Sequence, residues 1–256
     1  MNIDENKVKK VFADYASLYD STNPKIALKI VHTYKVSELC KEIAISENLS
    51  EDDVELAWLI GMLHDVGRFE QLKRYNTFMD SQSVDHALLG ARILFEDGLI
   101  RNFIEDSSED NIIDAAIRYH SAYRIPEDID DRTKFFCHII RDADKLDILR
   151  VQLDTPLEQI YDVTTEDLRN SEVSSQVLAS FHEKHATLRS LKKTPVDHVV
   201  GHISLAFELV YKRSRQLVLE QGYLAKNMAF ESYNPKTNEQ MREIRDFMNA
   251  YLHENI

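Results

Sequence analysis

The sequence predicts an all-α protein, and two observations favour that fold class. Glycine and proline are scarce, with 6 and 5 among 256 residues, whereas β-sheet proteins need the many tight turns that these residues build. Apolar residues also recur at helical spacing in several separate stretches. With 43% hydrophobic residues the chain can bury a sizeable core. We therefore predict one helical domain over residues 1–256, in which helices of residues 156–256 extend and pack on an N-terminal core.

The first clear helix signal lies at Asn23-Pro24. Asparagine can cap a helix, and proline suits the first helical position because no N–H bond is lost there. Apolar residues follow at helical spacing, so we expect His32 to lie inside this helix.

A second helix signal starts at Ser50, which with Asp53 resembles a capping box that has Asp in place of Glu. An apolar face then continues to His64 and Asp65. Gly67 suits the position just beyond a helix end, where left-handed backbone is common. We therefore expect His64 and Asp65 to lie in the last turn of this helix.

Later signals are spread along the rest of the chain. Ser83 is the expected cap of a helix that carries His86, and another predicted helix ends near His120. An apolar stretch leads into the segment that contains Asp144. In the second half, helices are expected after Thr165, from Thr194-Pro195 and after Asn234-Pro235.

The formal net charge of -13 argues against nucleic acid polymers and anionic membranes as partners, because both would be repelled. Two cysteines, Cys40 and Cys137, form neither a disulfide framework nor a repeated metal motif. The N-terminus is polar, and no stretch approaches the ~20 apolar residues of a membrane span. These features predict a cytoplasmic protein.

Potential metal ligands lie on separate predicted elements: His32, His64 with Asp65, His86, His120 and Asp144. Imidazole and carboxylate are natural ligands for Zn, Mn, Fe, Co or Ni. A helical bundle can bring one ligand from each helix to a central point. Adjacent helical residues point about 100° apart, but a carboxylate has two oxygens, so Asp65 could bridge two metals.

The ordered set of His32, His64-Asp65 and Asp144 resembles the H…HD…D pattern that defines the HD-domain superfamily. The stretch from His64 to Phe69 is similar to the "HDxGR" form of many bacterial members. The resemblance covers roughly residues 20–150, which indicates an HD metal-binding core over residues 20–155. Asp144 matches the family's Ala-Asp-basic-Leu context better than Asp142 does, and Asp142 would then orient a histidine.

The resemblance implies a helical bundle and a metal site with one or two divalent ions, drawn from Mn, Fe, Ni, Co, Zn or Mg. One ion would lie among His32, His64, Asp65 and Asp144. A subset of the superfamily has two further histidines. His86 and His120 match them here and would join Asp65 at a second ion.

The resemblance also implies a metal-dependent phosphohydrolase, which cleaves a phosphomonoester or phosphodiester with metal-activated water. A small phosphorylated molecule, such as a nucleotide, is the expected substrate, and Asp65 is an expected catalytic residue. Divalent ions would reverse the local negative field and attract a phosphate. Arg68 is the first candidate for a bidentate phosphate contact, and Lys145 is the second.

Two alternative functions stay open at this point. Some proteins with the six-ligand arrangement are similar to di-iron oxygenases, and other family members are non-catalytic nucleotide-binding regulatory modules. His198 and His202 are four residues apart and have a legitimate metal spacing, but no third ligand is evident near them. A homodimer also remains open.

Overall fold

The computed structural model describes residues 3–156 and 163–255. Within these ranges the chain forms helices joined by turns and contains no strand, so the predicted all-α class is confirmed. Residues 157–162 of the predicted C-terminal extension lie outside the described residues. The chain divides into two compact units, Met1–Asp144 and Lys145–Ile256, which are considered one at a time.

The first unit begins with four helices and continues with four more. They are α1 (Glu5–Ala16), α2 (Pro24–Ser46), α3 (Glu51–Leu63), α4 (Val66–Tyr75), α5 (His86–Ala91), α6 (Ile100–Phe103), α7 (Asp110–Tyr119) and α8 (Asp131–Asp154). A 3₁₀ turn lies at Asp80–Gln82, and a π-helical turn at Arg92–Glu96 follows α5. The division between the units falls inside α8, directly after Asp144.

Two predicted helix starts are confirmed. The side chain of Asn23 accepts a hydrogen bond from the backbone N–H of Lys25 at 2.9 Å, and Pro24 is the first residue of α2. The hydroxyl of Ser50 accepts from the N–H of Asp53 at 3.2 Å. Each contact satisfies a backbone donor that has no partner inside its helix.

The predicted end of the second helix at Gly67 was wrong. α3 ends at Leu63, and α4 begins at Val66, so Gly67 lies in the first turn of a new helix. A Cβ atom on Gly67 would lie 2.2 Å from the carbonyl oxygen of His86 and 2.6 Å from the backbone nitrogen of Gly90. Glycine is needed here because the backbones of α4 and α5 touch, and not because the chain turns.

The predicted cap of the His86 helix was also wrong. α5 begins at His86 itself, and the carboxylate of Asp85 accepts from the N–H groups of Ala87 and Leu88 at 2.9 and 3.1 Å. The hydroxyl of Ser83 instead contacts the side chain of Gln71 at 2.9 Å. Ser83, which the local pattern favoured as the helix cap, therefore makes a tertiary contact with α4 instead.

α2 and α3 cross closely beside the first unit's apolar core, which includes the buried rings of Phe12, Trp58 and Phe69. A Cβ atom on Gly61 of α3 would lie 2.6 Å from the Cα atom of Ser37 on α2. Only glycine allows the two backbones to approach this far. This crossing brings His32 on α2 near His64, which follows α3.

The second unit continues α8 with shorter helices. They are α9 (Thr165–Asn170), α10 (Ser175–His182), α11 (Pro195–Ile203), α12 (Lys212–Gln221), α13 (Tyr223–Met228) and α14 (Pro235–Asn255). Helix starts near Thr165, at Pro195 and at Pro235 are confirmed, whereas α12 and α13 had no predicted counterpart. None of the helices in the described ranges has the length and apolar character needed to cross a bilayer.

Candidate metal centre

Two histidine rings meet where α2 crosses the end of α3. The Nε2 atoms of His32 and His64 are 3.3 Å apart, and both side chains are fully buried. Asp144 reaches the same point from α8, with its Oδ1 atom 3.1 Å from Nε2 of His32 and 3.9 Å from Nε2 of His64. Three residues from three parts of the sequence therefore face one point.

A second pair of rings lies beside the first. His86, the first residue of α5, and His120, which follows α7, have their Nε2 atoms 3.0 Å apart. Both are buried, and the ring centroid of His120 lies 5.3 Å from that of His64. The two pairs are therefore neighbours in one cluster.

Asp65 lies between the two pairs and presents one oxygen to each. Its Oδ2 atom is 3.5 Å from Nε2 of His32 and 3.4 Å from Nε2 of His64. Its Oδ1 atom is 3.6 Å from Nε2 of His86 and 3.7 Å from Nε2 of His120. The structure thus brings together the six residues expected from the sequence, all within Met1–Asp144.

Backbone carbonyl groups determine which nitrogen of two rings carries the proton. Nδ1 of His64 lies 2.7 Å from the carbonyl oxygen of Gly61, and Nδ1 of His120 lies 2.7 Å from that of Ile117. A carbonyl oxygen can only accept, so each Nδ1 donates. In the neutral ring Nε2 then keeps its lone pair, which faces the centre.

Asp80 does the same for His86. Nδ1 of His86 donates to Oδ2 of Asp80 at 2.9 Å. Burial alone would raise the pKa of Asp80, but the hydrogen bond from His86, the charge of Arg68 and a hydrogen bond from Gln71 hold it well below its usual range. Burial and the nearby Arg68 lower the pKa of His86 to about 4. His86 is therefore a neutral ring with its lone pair on Nε2.

This donor set fits a divalent cation. Nε2 lone pairs that face each other across 3.0 Å repel, and a cation between them removes that repulsion. In the described part of the chain, His32-His64-Asp65 and Asp65-His86-His120 each offer ligand atoms within 4.8 Å of one another. Nitrogen and carboxylate donors suit Zn, Mn, Fe, Co or Ni.

The family comparison agrees with this geometry. The family model of the HD domain matches residues 30–149. This segment is an HD domain. Neither a curated protein nor a solved structure matches the chain. The segment has the all-α fold of the HD domain, which is in general a fold of metal-dependent hydrolases.

The two carboxylates of the HD domain centre are held ionised. Burial would raise the pKa of Asp65, but the Lys29 ammonium that pairs with it, together with the contacts of His64 and His120, holds it well below its usual range. Burial likewise opposes ionisation of Asp144, yet the pKa of this carboxyl is lowered by His32 and the other histidines. Both side chains therefore offer charged oxygens to a cation.

The sequence did not reveal two residues that contact these ligands. Lys29 donates to Oδ2 of Asp65 at 2.6 Å, and its position three residues before His32 on α2 was the available signal. Asp80 is the first residue of the 3₁₀ turn between α4 and α5, and no feature of the sequence indicated its contact with His86. Lys29 and Asp80 are not part of the ordered His and Asp pattern; each contacts a residue that is.

Arg68 and Lys145, the predicted phosphate contacts, occupy different surroundings. Nη1 of Arg68 donates to the side chains of Gln71 and Asp80, at 2.8 and 3.0 Å, and to the carbonyl oxygen of Phe78 at 2.6 Å. Lys145 is buried and follows Asp144 on α8, and neighbouring helical residues point about 100° apart. Their contact with phosphate stays a prediction.

The histidine pair in the second unit lacks a comparable set of donors. His198 and His202 lie four residues apart on α11. Over residues 3–156 and 163–255, neither belongs to a group of three or more closely spaced potential ligands. Among the described residues, no third donor therefore converges on this pair as the spacing of a metal site would require.

Proposed function

We propose that this protein is a metal-dependent phosphohydrolase that cleaves a phosphomonoester or phosphodiester of a nucleotide or related small molecule. The observation that carries the proposal is the position of Asp65, which offers one oxygen to each of two histidine pairs. This arrangement suits two adjacent divalent ions that share a carboxylate. HD domains are commonly phosphohydrolases of this kind.

The charges of the site support an anionic substrate. Asp65 and Asp144 supply two negative charges, whereas two divalent ions would supply four positive ones, so the loaded centre attracts a phosphate. Divalent ions at such a site activate a water nucleophile and polarise the phosphoryl group. A local positive field of this kind is needed because the whole chain carries a net charge of -13.

The residues around the ligands keep the ring orientations fixed. Gly61 and Ile117 accept from Nδ1 of His64 and His120, and Asp80 accepts from Nδ1 of His86. Each contact leaves Nε2 available as a ligand atom and limits rotation of the ring. The ligands are therefore already oriented before an ion enters, which lowers the cost of binding.

A metal-reconstitution assay tests the proposal. The full chain is treated with chelator, reloaded separately with Mn, Fe, Co, Ni, Zn or Mg, and offered nucleotides, cyclic nucleotides and simple phosphomonoesters. We expect phosphate or nucleotide release with at least one metal and none in Asp65→Asn, while His198→Gln is a matched control that stays active.

Other outcomes would contradict the proposal. Oxygen consumption by the iron-loaded protein, with a mixed-valent EPR signal, would support the di-iron oxygenase. Tight nucleotide binding without turnover under any metal would support a regulatory module.

A further inference from the structure

We propose that Lys29 binds the phosphate of the substrate at this centre, which rests on the function proposed above. Lys29 lies on α2, three residues before His32. Residues three apart share a helix face, so the two side chains point toward the same side of α2. A cation is therefore positioned beside a ligand by the helix that carries both.

The ammonium group of Lys29 lies at one half of the centre. Its Nζ atom donates to Oδ2 of Asp65 at 2.6 Å, and this oxygen faces the Nε2 atoms of His32 and His64. The side chain of Lys29 is 17% exposed, so water screens its charge only partly. The positive charge of Lys29 consequently acts on any ion or ligand that binds next to Asp65.

Lys29 keeps hydrogen-bonding capacity for a ligand. A lysine ammonium has three donors, and Asp65 is its one hydrogen-bond partner among the described residues. The ring of Phe78 lies 5.6 Å from Nζ and offers only the face of its π system. Two donors therefore remain for acceptors such as phosphoryl oxygens.

Arg68 is the other cation near Asp65, and its role differs. Its Nη1 atom already donates to three acceptors, on Gln71, Phe78 and Asp80, and its Nε atom is 3.7 Å from Oδ1 of Asp65. These contacts attach α4 to the loop that carries Asp80. The observed contacts thus favour Lys29 over Arg68 as the cation that meets a phosphate.

The proposed role has two opposite electrostatic consequences. A positive charge beside Asp65 repels a divalent cation and weakens metal binding. The same charge attracts a phosphate and strengthens its binding. A lysine that only supported the fold would not produce effects of opposite sign.

Calorimetry on the full chain can measure both effects with defined probes. Mn²⁺ is titrated into chelator-treated protein, and inorganic phosphate is titrated into Mn²⁺-loaded protein, for the wild type, Lys29→Met and Lys29→Arg. In Lys29→Met we expect Mn²⁺ to bind several-fold more tightly, because a positive charge beside the site is removed. Phosphate should bind at least about tenfold more weakly, because one charge-assisted hydrogen bond is lost. Lys29→Arg should recover most of the phosphate affinity.

Lys35→Met is the matched control, because Lys35 is exposed on the same helix, and it should change neither affinity. The proposal is overturned if phosphate affinity in Lys29→Met equals that of the wild type, or if both affinities fall together. It is also overturned if loaded wild-type protein binds no phosphate. Failure of the hydrolysis assay would remove the proposed function, whereas the phosphate titration would still decide the role of Lys29.

Discussion

Histidines of the first and second units differ in what surrounds them. In the first unit, Asp65 directs both carboxylate oxygens at histidine Nε2 atoms. In the second unit, the carboxylate beside the histidines is Asp197, and it accepts from the backbone N–H groups of Ser174, Lys193 and Thr194 at 2.8–3.0 Å. A carboxylate used as a helix cap has little capacity left for a metal.

The charge near the second pair also differs. Burial and then the Lys192 ammonium lower the pKa of His202 well below its usual range, with further contributions from His198 and Arg189. Cations favour neutral imidazole but repel a metal ion. His198 and His202 have the more regular sequence spacing, yet the converging carboxylates lie in the first unit. The position of the carboxylates, more than histidine spacing, therefore distinguishes the metal centre.

The largest effect is expected for Asp65→Ala. This change removes the oxygen donors of both histidine pairs, and metal affinity should fall by about a hundredfold or more, since even losing a residue that only orients a ligand costs about 10–100-fold. Metal content per chain after dialysis measures the loss. The double variant His198→Gln/His202→Gln should retain its metal. Normal metal content in Asp65→Ala would contradict the assignment of the centre to the first unit.

Asp80→Asn is expected to have the next largest effect. The amide can still accept from Nδ1 of His86, but it lacks the charge that holds this tautomer. Metal affinity should weaken by about 10–100-fold, as a titration with Mn²⁺ would show. Asp85→Asn is the matched control, because Asp85 caps α5 and asparagine caps equally well. Equal affinities in Asp80→Asn and wild type would show that Asp80 does not support His86.

Alanine substitutions at two glycines, one in each unit, should have smaller effects, and these effects are on stability. In Gly67→Ala the new Cβ would meet backbone atoms of His86 and Gly90, at 2.2 and 2.6 Å, so α4 and α5 must separate. We expect the free energy of unfolding to fall by about 1–3 kcal/mol. In Gly201→Ala the Cβ would meet the flexible end of Lys192 at 2.4 Å. That side chain can move, so the loss should be under about 1 kcal/mol. Urea unfolding followed by circular dichroism compares the two, and equal losses would contradict this distinction.

The smallest expected effect is a dependence of stability on pH through His202. Its pKa is lowered in the folded protein, whereas the unfolded chain binds a proton near the ordinary pKa of about 6.5. Unfolding is therefore favoured as pH falls below that value. Between pH 7.5 and 5.5, His202→Gln should lose about 1 kcal/mol less stability than wild type. Urea unfolding of chelator-treated proteins at each pH gives these values, and parallel losses in both would exclude this contribution of His202.

Local signals in the sequence identified several helix starts but not the break between α3 and α4. Asn23, Pro24 and Ser50 act on backbone groups within three residues, so their roles can be recognised from neighbouring positions. Gly67 depends on the backbone of His86 and Gly90. These residues are distant in sequence, and a local pattern cannot distinguish a glycine at a helix end from one at a helix contact.

The candidate site shows the same limit. The ordered His and Asp pattern indicated the six residues that converge, because family resemblance preserves their order along the chain. Lys29 and Asp80 were missed because their importance depends on where their side chains reach. Only the path of the loop before α5 shows that Asp80 meets His86.

Residues of the two halves of the centre occupy different positions in their helices. His32 and Asp144 lie in the interior of helices of 23 and 24 residues, whereas His86 is the first residue of α5, which follows a loop and continues into the π-helical turn Arg92–Glu96. The first turn of a helix opens at lower free-energy cost than the interior of a long, well-packed helix. If the centre binds two ions, gradual warming or mild chelation should therefore release the one at His86 and His120 first. A sample that carries a single ion per chain would then be an intermediate of stepwise demetallation.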